Sequence, residues 1–151
     1  VARAKILGEK LGPLLYQLPP NMHRKDDALD SFLSTLPQGV KHVIEFRHES
    51  WFDDKVFEIL CKHNVGFCIF DMPGLTTPVV ATADFAYIRF HGSKWLYASN
   101  YSDEELADWT KRLVNLTANL KAIYAYFNND AEAFAVKNAL TLRKSLEEML
   151  V

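Results

Sequence analysis

Short apolar runs recur along the chain, and each stops at a polar or charged cluster. Pro13-Leu14-Leu15-Tyr16 runs into Gln17, His42-Val43-Ile44 into Glu45-Phe46-Arg47-His48, and Gly66-Phe67-Cys68-Ile69-Phe70 into Asp71. Phe85-Ala86-Tyr87-Ile88 leads to Arg89-Phe90-His91-Gly92, and Ala122-Ile123-Tyr124-Ala125-Tyr126-Phe127 leads to Asn128-Asn129-Asp130. Each run has strand length, and a segment of helical character follows it. A strand with a polar ending and then a helix, repeated, gathers reactive groups at one rim of a parallel α/β sheet.

The connections are read from their punctuation. The first is a helix from Asp26 to Leu36, closed by Pro37-Gln38-Gly39. A second starts behind Ser50 as cap, with Asp53 three residues on, and runs to His63 before Asn64 ends it. Met72 to Asp84 carries Pro73-Gly74 and Thr76-Thr77-Pro78, which predicts a loop or single turn rather than a helix. Ser102-Asp103-Glu104-Glu105 is a capping box, and Leu106, Trp109, Leu113, Leu116 and Leu120 keep one apolar face behind it. A last helix spans Asp130 to Met149 through Phe134, Ala135, Asn138, Leu142 and Leu146. Val1 to Leu11 reads as the back half of an amphipathic helix, ended by Gly12-Pro13.

Alternation along the strands decides which side chains share a face. With the apolar members under the helices, Glu45, Arg47, Tyr87, Arg89, His91, Tyr124, Tyr126 and Asn128 all project to one side. A doubly wound sheet, buried on both faces, rejects so many charges, whereas a barrel with a polar upper layer accepts them. The expected fold is therefore a (β/α)8 TIM-type barrel. A complete one needs about 250 residues, so the 151 residues here read as a single domain, residues 1–151, holding the last five βα units. On this reading the amino-terminal strands are absent, and exposed first and last strands invite self-association.

Composition narrows the class without naming a reaction. Hydrophobic content of 49% and charged content of 24% are those of an ordinary globular domain. A net charge of −2 gives no global attraction to nucleic acid or anionic membranes, which leaves only a local basic patch to bind polyanions. No apolar run approaches the roughly 20 residues of a membrane span, and no signal peptide opens the chain. Cys61 and Cys68 read as buried thiols of a reducing compartment, so the cytoplasm is expected. Nucleophile-elbow, Walker, dinucleotide-binding and paired-cysteine zinc motifs do not occur.

Several segments carry a resemblance. Gly12-Pro13-Leu14-Leu15-Tyr16-Gln17-Leu18-Pro19-Pro20, Glu45-Phe46-Arg47-His48-Glu49-Ser50-Trp51 and Arg89-Phe90-His91-Gly92 come in order along the chain. Tyr101-Ser102-Asp103-Glu104-Glu105-Leu106 follows, and Tyr126-Phe127-Asn128-Asn129-Asp130 comes last, with Ala139 behind it. Together they resemble the domain of unknown function 72 family, the YecE-like proteins, over nearly the whole chain. The resemblance implies a TIM-type barrel whose first strands, with a Gly-Thr-Ser-Gly-Trp-like opening, lie outside this sequence. It implies no particular reaction.

The strand ends supply the candidate chemistry. Glu45 and Arg47 form either a self-neutralising buried pair or part of a ligand site. His48, Asp71, His91 and Asp130 have the side chains of metal ligands, but arginines in the same rim repel a divalent ion and no close His pair supports one, so a metal is not favoured. Arg47, His48, Arg89, His91 and Lys94, with Asn128 and Asn129, suit an anion better, since guanidinium forks match phosphate and carboxylate. The plain alternative is a network of Arg89 with Asp130 or Glu45 and no ligand. Trp95 and Tyr97 either stack on a ring of the ligand or roof the barrel.

These readings predict a hydrolase or lyase acting on a small anionic, phosphorylated or nucleotide-like substrate. Glu45, His48, His91 and Asp130 are its candidate catalytic groups. Gln17, Arg47, Asp71, Arg89, Lys94, Trp95, Tyr126, Asn128 and Asn129 are its candidate substrate contacts. A non-catalytic module that binds an anionic metabolite or a partner on the same rim is the rival, and a scaffold with a self-neutralised rim is the third option.

Overall fold

In the computed structural model, which describes residues 1–117 and 120–150, five strands lie parallel in sequence order. They are β1 (Leu14–Gln17), β2 (His42–Glu45), β3 (Gly66–Met72), β5 (Phe85–Phe90) and β6 (Ala122–Phe127). Between β3 and β5 a two-residue strand, β4 (Leu75–Thr76), turns back antiparallel on β3, where Asp71 faces Thr76 and Met72 faces Leu75. The segment expected to be a loop or single turn thus contains a hairpin. Pro73 and Gly74 form its turn, and Gly74 has φ 82°, the left-handed backbone that glycine adopts freely.

Four α-helices follow the strands: α1 (Asp26–Ser34), α2 (Asp54–Lys62), α3 (Asp103–Val114) and α4 (Phe134–Met149). Their apolar sides, including Leu29 and Leu33, Val56 and Leu60, Leu106 and Leu113, and Leu142, share one core with Ile44, Phe46, Phe67, Ile69, Ile88 and Phe90. The other face of the sheet has a separate, smaller apolar cluster of Val43, Cys68, Phe85 and Tyr87. Gly66 belongs to that layer because a Cβ there would come to 3.0 Å from Phe85 and 3.3 Å from Val43. All four helices thus cover one face, and the charged strand ends sit on the other.

Capping accounts for where the helices begin. Ser102 Oγ accepts from Glu105 N while Glu105 Oε2 accepts from Ser102 N, which is the expected capping box. At α2 the cap is Asp53, accepting from Lys55 N, and not Ser50. Ser50 lies instead in a short 3-10 turn over Glu49–Trp51. That turn buries Trp51 against Phe46, ring centroids 4.5 Å apart, and its indole donates to Met22 O at 2.7 Å. Trp109 is buried on α3, on the apolar face expected behind the capping box.

Three expectations need correction. Ala4–Lys10 is 3-10 rather than α-helical and kinks at Gly8, and it buries nothing; Ile6 is 83% exposed. The last helix begins at Phe134, after a 3-10 turn over Ala131–Ala133 in which Glu132 and Ala133 are left-handed. Cys61 is exposed on α2, so only Cys68 is a buried thiol, pushed well above its usual range by burial and by the Glu45 carboxylate.

Candidate functional site

Register places the polar strand ends side by side. Gln17 pairs with Glu45 across β1 and β2, Phe70 with Arg89 across β3 and β5, and Arg89 with Tyr126 across β5 and β6. Glu45 is fully buried at the centre. Its Oε2 accepts from Arg89 Nη1 at 2.8 Å and from the Cys68 thiol at 3.4 Å. Its Oε1 lies against Arg47 Nη2, held there by charge rather than by a well-directed hydrogen bond. Arg47 also directs Nη1 at the Met72 sulfur, 3.0 Å away, and lies 4.9 Å over the Phe70 ring. The plain alternative of an Arg89–Glu45 pair is therefore present, with Arg47 added to it.

Two guanidiniums on one carboxylate leave an excess positive charge, and it faces a cavity. About 420 Å³ is enclosed by Gln17, Pro20, Arg47, Met72, Leu75, Arg89 and Tyr97 at the carboxyl ends of the strands. The Glu45 carboxylate holds the Arg89 guanidinium more basic than usual, although burial works against it. Burial pushes the Tyr87 hydroxyl up to about 12.

His91, two residues beyond Arg89, is fully buried, and among the described residues neither ring nitrogen has a hydrogen-bond partner. Burial first, and then the charges of Arg89 and Arg47, lower its pKa to about 4, so the ring is neutral near pH 7. Phe70 and Tyr97 stand edge-on to it, with centroids 6.4 Å and 5.4 Å away. An unfolded histidine titrates near 6.5, so between pH 6.5 and 4 the unfolded chain takes up a proton that the folded one refuses. Stability therefore falls as pH drops through this window, by up to about 3 kcal/mol from this group. Urea unfolding at pH 7, 5.5 and 4 is expected to show a steeper loss in wild type than in His91→Gln. Equal slopes would mean that the folded ring accepts the proton.

The loop after β5 holds Tyr97 over His91. Tyr97 N donates to His91 O at 2.6 Å, and Tyr97 itself has φ 63°. Ser99 Oγ accepts from Lys94 N and Trp95 N. Only glycine fits at 92, where φ is 101° and a Cβ would meet Trp95 O at 2.4 Å. The loop is tied to the end of β6 through side chains: Asn129 Nδ2 donates to Ser99 O and to Asn138 Oδ1, and Asn138 Nδ2 donates to Asn100 Oδ1 and Tyr101 O.

The expected site residues fall into two groups. Gln17, Glu45, Arg47, Arg89, His91 and Tyr126 lie together on the open face, and Asn128 continues that face with its backbone N–H on Phe90 O. Asp71 does not join them. It sits on the helix side beside Tyr101 and Trp109, where burial raises its carboxyl pKa and those two neighbours oppose the rise. His48 turns back to accept from Ser50 N and lies against His23, centroids 4.0 Å apart. Asn129 is buried in the loop anchor, and Asp130, Lys94 and Trp95 are exposed. Among the described residues no three His, Cys, Asp or Glu side chains converge as a metal-binding group. Cys68, Phe70 and Met72, which position Glu45 and Arg47, were not among the expected site residues, although strand alternation puts all three on this face.

A family model described as "Protein of unknown function DUF72" matches residues 1–150. The chain belongs to the DUF72 family. The UPF0759 protein YunF of Bacillus subtilis (strain 168) is 24% identical over 165 residues, covering 91% of this chain and 58% of YunF. The crystal structure of a DUF72 family protein from Thermotoga maritima MSB8 superposes with a TM-score of 0.83 at 30% identity, covering 96% of this chain and 61% of that one. One from Enterococcus faecalis V583 gives 0.81 at 21% identity, a likeness of fold, over 94% of this chain and 61% of its own. This DUF72 chain thus spans about six-tenths of the length of these relatives. No helix among its described residues is long and apolar enough to cross a membrane.

Proposed function

We propose that this DUF72 chain forms the carboxyl-terminal five units of a (β/α)8 barrel and binds a small anion at the mouth lined by Arg47 and Arg89. Supporting the barrel are the sequential parallel strand order, the helices on one face only and the greater length of the relatives. β1 and β6 are the outer strands of the sheet, and the remaining units of the proposed barrel would pair there. The exposed thiol of Cys61 suits a reducing compartment, in keeping with a cytoplasmic protein.

The observation that carries the anion reading is the fully buried Glu45 held between two arginines whose guanidiniums border a cavity at the strand ends. Such a triad costs desolvation and adds little stability, so its place at the rim argues for a ligand. In the enzymatic form of this reading the protein is a hydrolase or lyase. Arg47 and Arg89 stabilise developing negative charge, and His91, neutral and without a partner, takes or gives the proton.

Three observations favour the rival, a non-catalytic binding module. His48, Asp71 and Asp130 stand away from the mouth, Glu45 is occupied by both arginines, and Tyr97, edge-on to His91, lines the cavity while His91 does not. Turnover separates the two readings. A panel of phosphoesters, assayed with and without added Mn²⁺ or Zn²⁺, yields product only if the site is catalytic. Both readings share one expected result: Arg89→Ala loses about tenfold to a hundredfold in affinity for small oxyanions by calorimetry, the worth of one or two charge-assisted hydrogen bonds. Unchanged affinity would remove the mouth from consideration as the anion site.

A further inference from the structure

The charges around the mouth bear on which anions it prefers. Two guanidiniums and one carboxylate leave a single positive charge. His91 adds none, being neutral near pH 7. Lys94 is exposed on the loop and does not line the cavity. Among the described residues no third cation lines the cavity, so a doubly charged ligand would bring a second negative charge up against the buried Glu45 carboxylate.

The rest of the cavity is not polar. Pro20, Met72, Leu75 and Tyr97 make up most of its wall, opposite Gln17 and the two arginines. Tyr97 is 50% exposed, and Tyr126, the register neighbour of Arg89, is 42% exposed with its ring tilted on Tyr87 at 5.0 Å. Tyr97's accessible aromatic face in the cavity wall, beside one unbalanced positive charge, matches a molecule with a ring at one end and an oxyanion at the other.

Resting on the anion reading, we infer that the mouth selects a singly charged oxyanion carrying an apolar ring, either a carboxylate or a phosphodiester, over a phosphomonoester dianion or a free inorganic anion. Arg89 receives the oxyanion, and the ring lies against Tyr97, Met72 and Leu75. The Glu45 carboxylate sets the charge preference by cancelling one of the two guanidiniums.

Calorimetry at pH 8 with five probes tests this: methyl phenyl phosphate, benzoate, dimethyl phosphate, phenyl phosphate and inorganic phosphate. The ring-bearing monoanions, one or both, are expected to bind about tenfold or more tighter than dimethyl phosphate, from burial of the ring. Which of the two binds tells a diester site from a carboxylate site. Phenyl phosphate loses its second proton near pH 6. Its binding is therefore expected to tighten about threefold or more between pH 8 and pH 5, while that of methyl phenyl phosphate, whose charge does not change, stays level. Phenyl phosphate or inorganic phosphate binding tightest at pH 8 would overturn the charge preference and leave the anion site standing. Dimethyl phosphate equal to methyl phenyl phosphate would overturn the ring. Failure of all five to bind would take the anion reading down as well. Glu45→Gln, if it folds, is expected to move the preference toward phenyl phosphate, and an unmoved preference would count against Glu45 as its source.

Discussion

Glu45→Ala is expected to destabilise the fold by about 3–5 kcal/mol, the cost of breaking a buried ion pair by removing one partner. Both guanidiniums it balances are largely enclosed, with side chains 13% and 19% exposed. Without the carboxylate, Arg47 and Arg89 repel each other across the same space, and the Cys68 thiol keeps only the Ile69 carbonyl as acceptor. Urea unfolding of wild type and variant measures the difference directly. A loss below about 1 kcal/mol, the range of exposed pairs, would mean that the arginines swing into water and that the triad is not a fixed feature of the mouth.

Asn138→Ala is the second large effect, at about 3 kcal/mol, because buried polar groups left without partners each cost about 1–3 kcal/mol. The Asn138 side chain is buried and makes four hydrogen bonds. Its Oδ1 accepts from Tyr101 N and Asn129 Nδ2, and its Nδ2 donates to Asn100 Oδ1 and Tyr101 O. This one residue of α4 ties the loop that carries Tyr97 to the end of β6. Amide exchange in Gly92–Tyr101 is therefore expected to accelerate along with the global loss. Protection unchanged in that segment would show that Ser99 and Gly92 hold the loop by themselves.

The strands were legible because each is a short apolar run with a polar stop, and their predicted starts near 13, 42, 66, 85 and 122 fall within a residue of the observed ones. Residue parity also placed Glu45, Arg47, Arg89 and His91 on one face. Asp71 was misplaced because strand-end position was weighed above parity: two residues from Ile69 and four from Phe67, it follows them to the helix side. His48 lies beyond β2, where alternation no longer applies and the chain folds into the turn at Glu49–Trp51. Asp130 precedes two left-handed residues, Glu132 and Ala133, neither of which is a glycine or asparagine that would have announced the bend.

The amino-terminal segment departs from its expected helix for a related reason. Its apolar spacing suits a helix, but helical periodicity is realised when a partner surface rewards it, and Ala4–Lys10 buries no residue. The hairpin at β4 escaped notice because two residues are too few for any periodicity, although Pro73-Gly74 marks its turn. That omission matters to the site, since Met72 and Leu75 supply much of its apolar wall.

An anomalous difference map from crystals of the protein soaked in sodium bromide tests whether the mouth holds an anion, bromide being a monoanion that locates itself. A peak is expected within hydrogen-bonding reach of the Arg89 guanidinium, beside Arg47 and inside the cavity lined by Tyr97. Bromide found only at exposed lysines, with Arg47 and Arg89 still clasped on Glu45 and nothing but water before them, would contradict it.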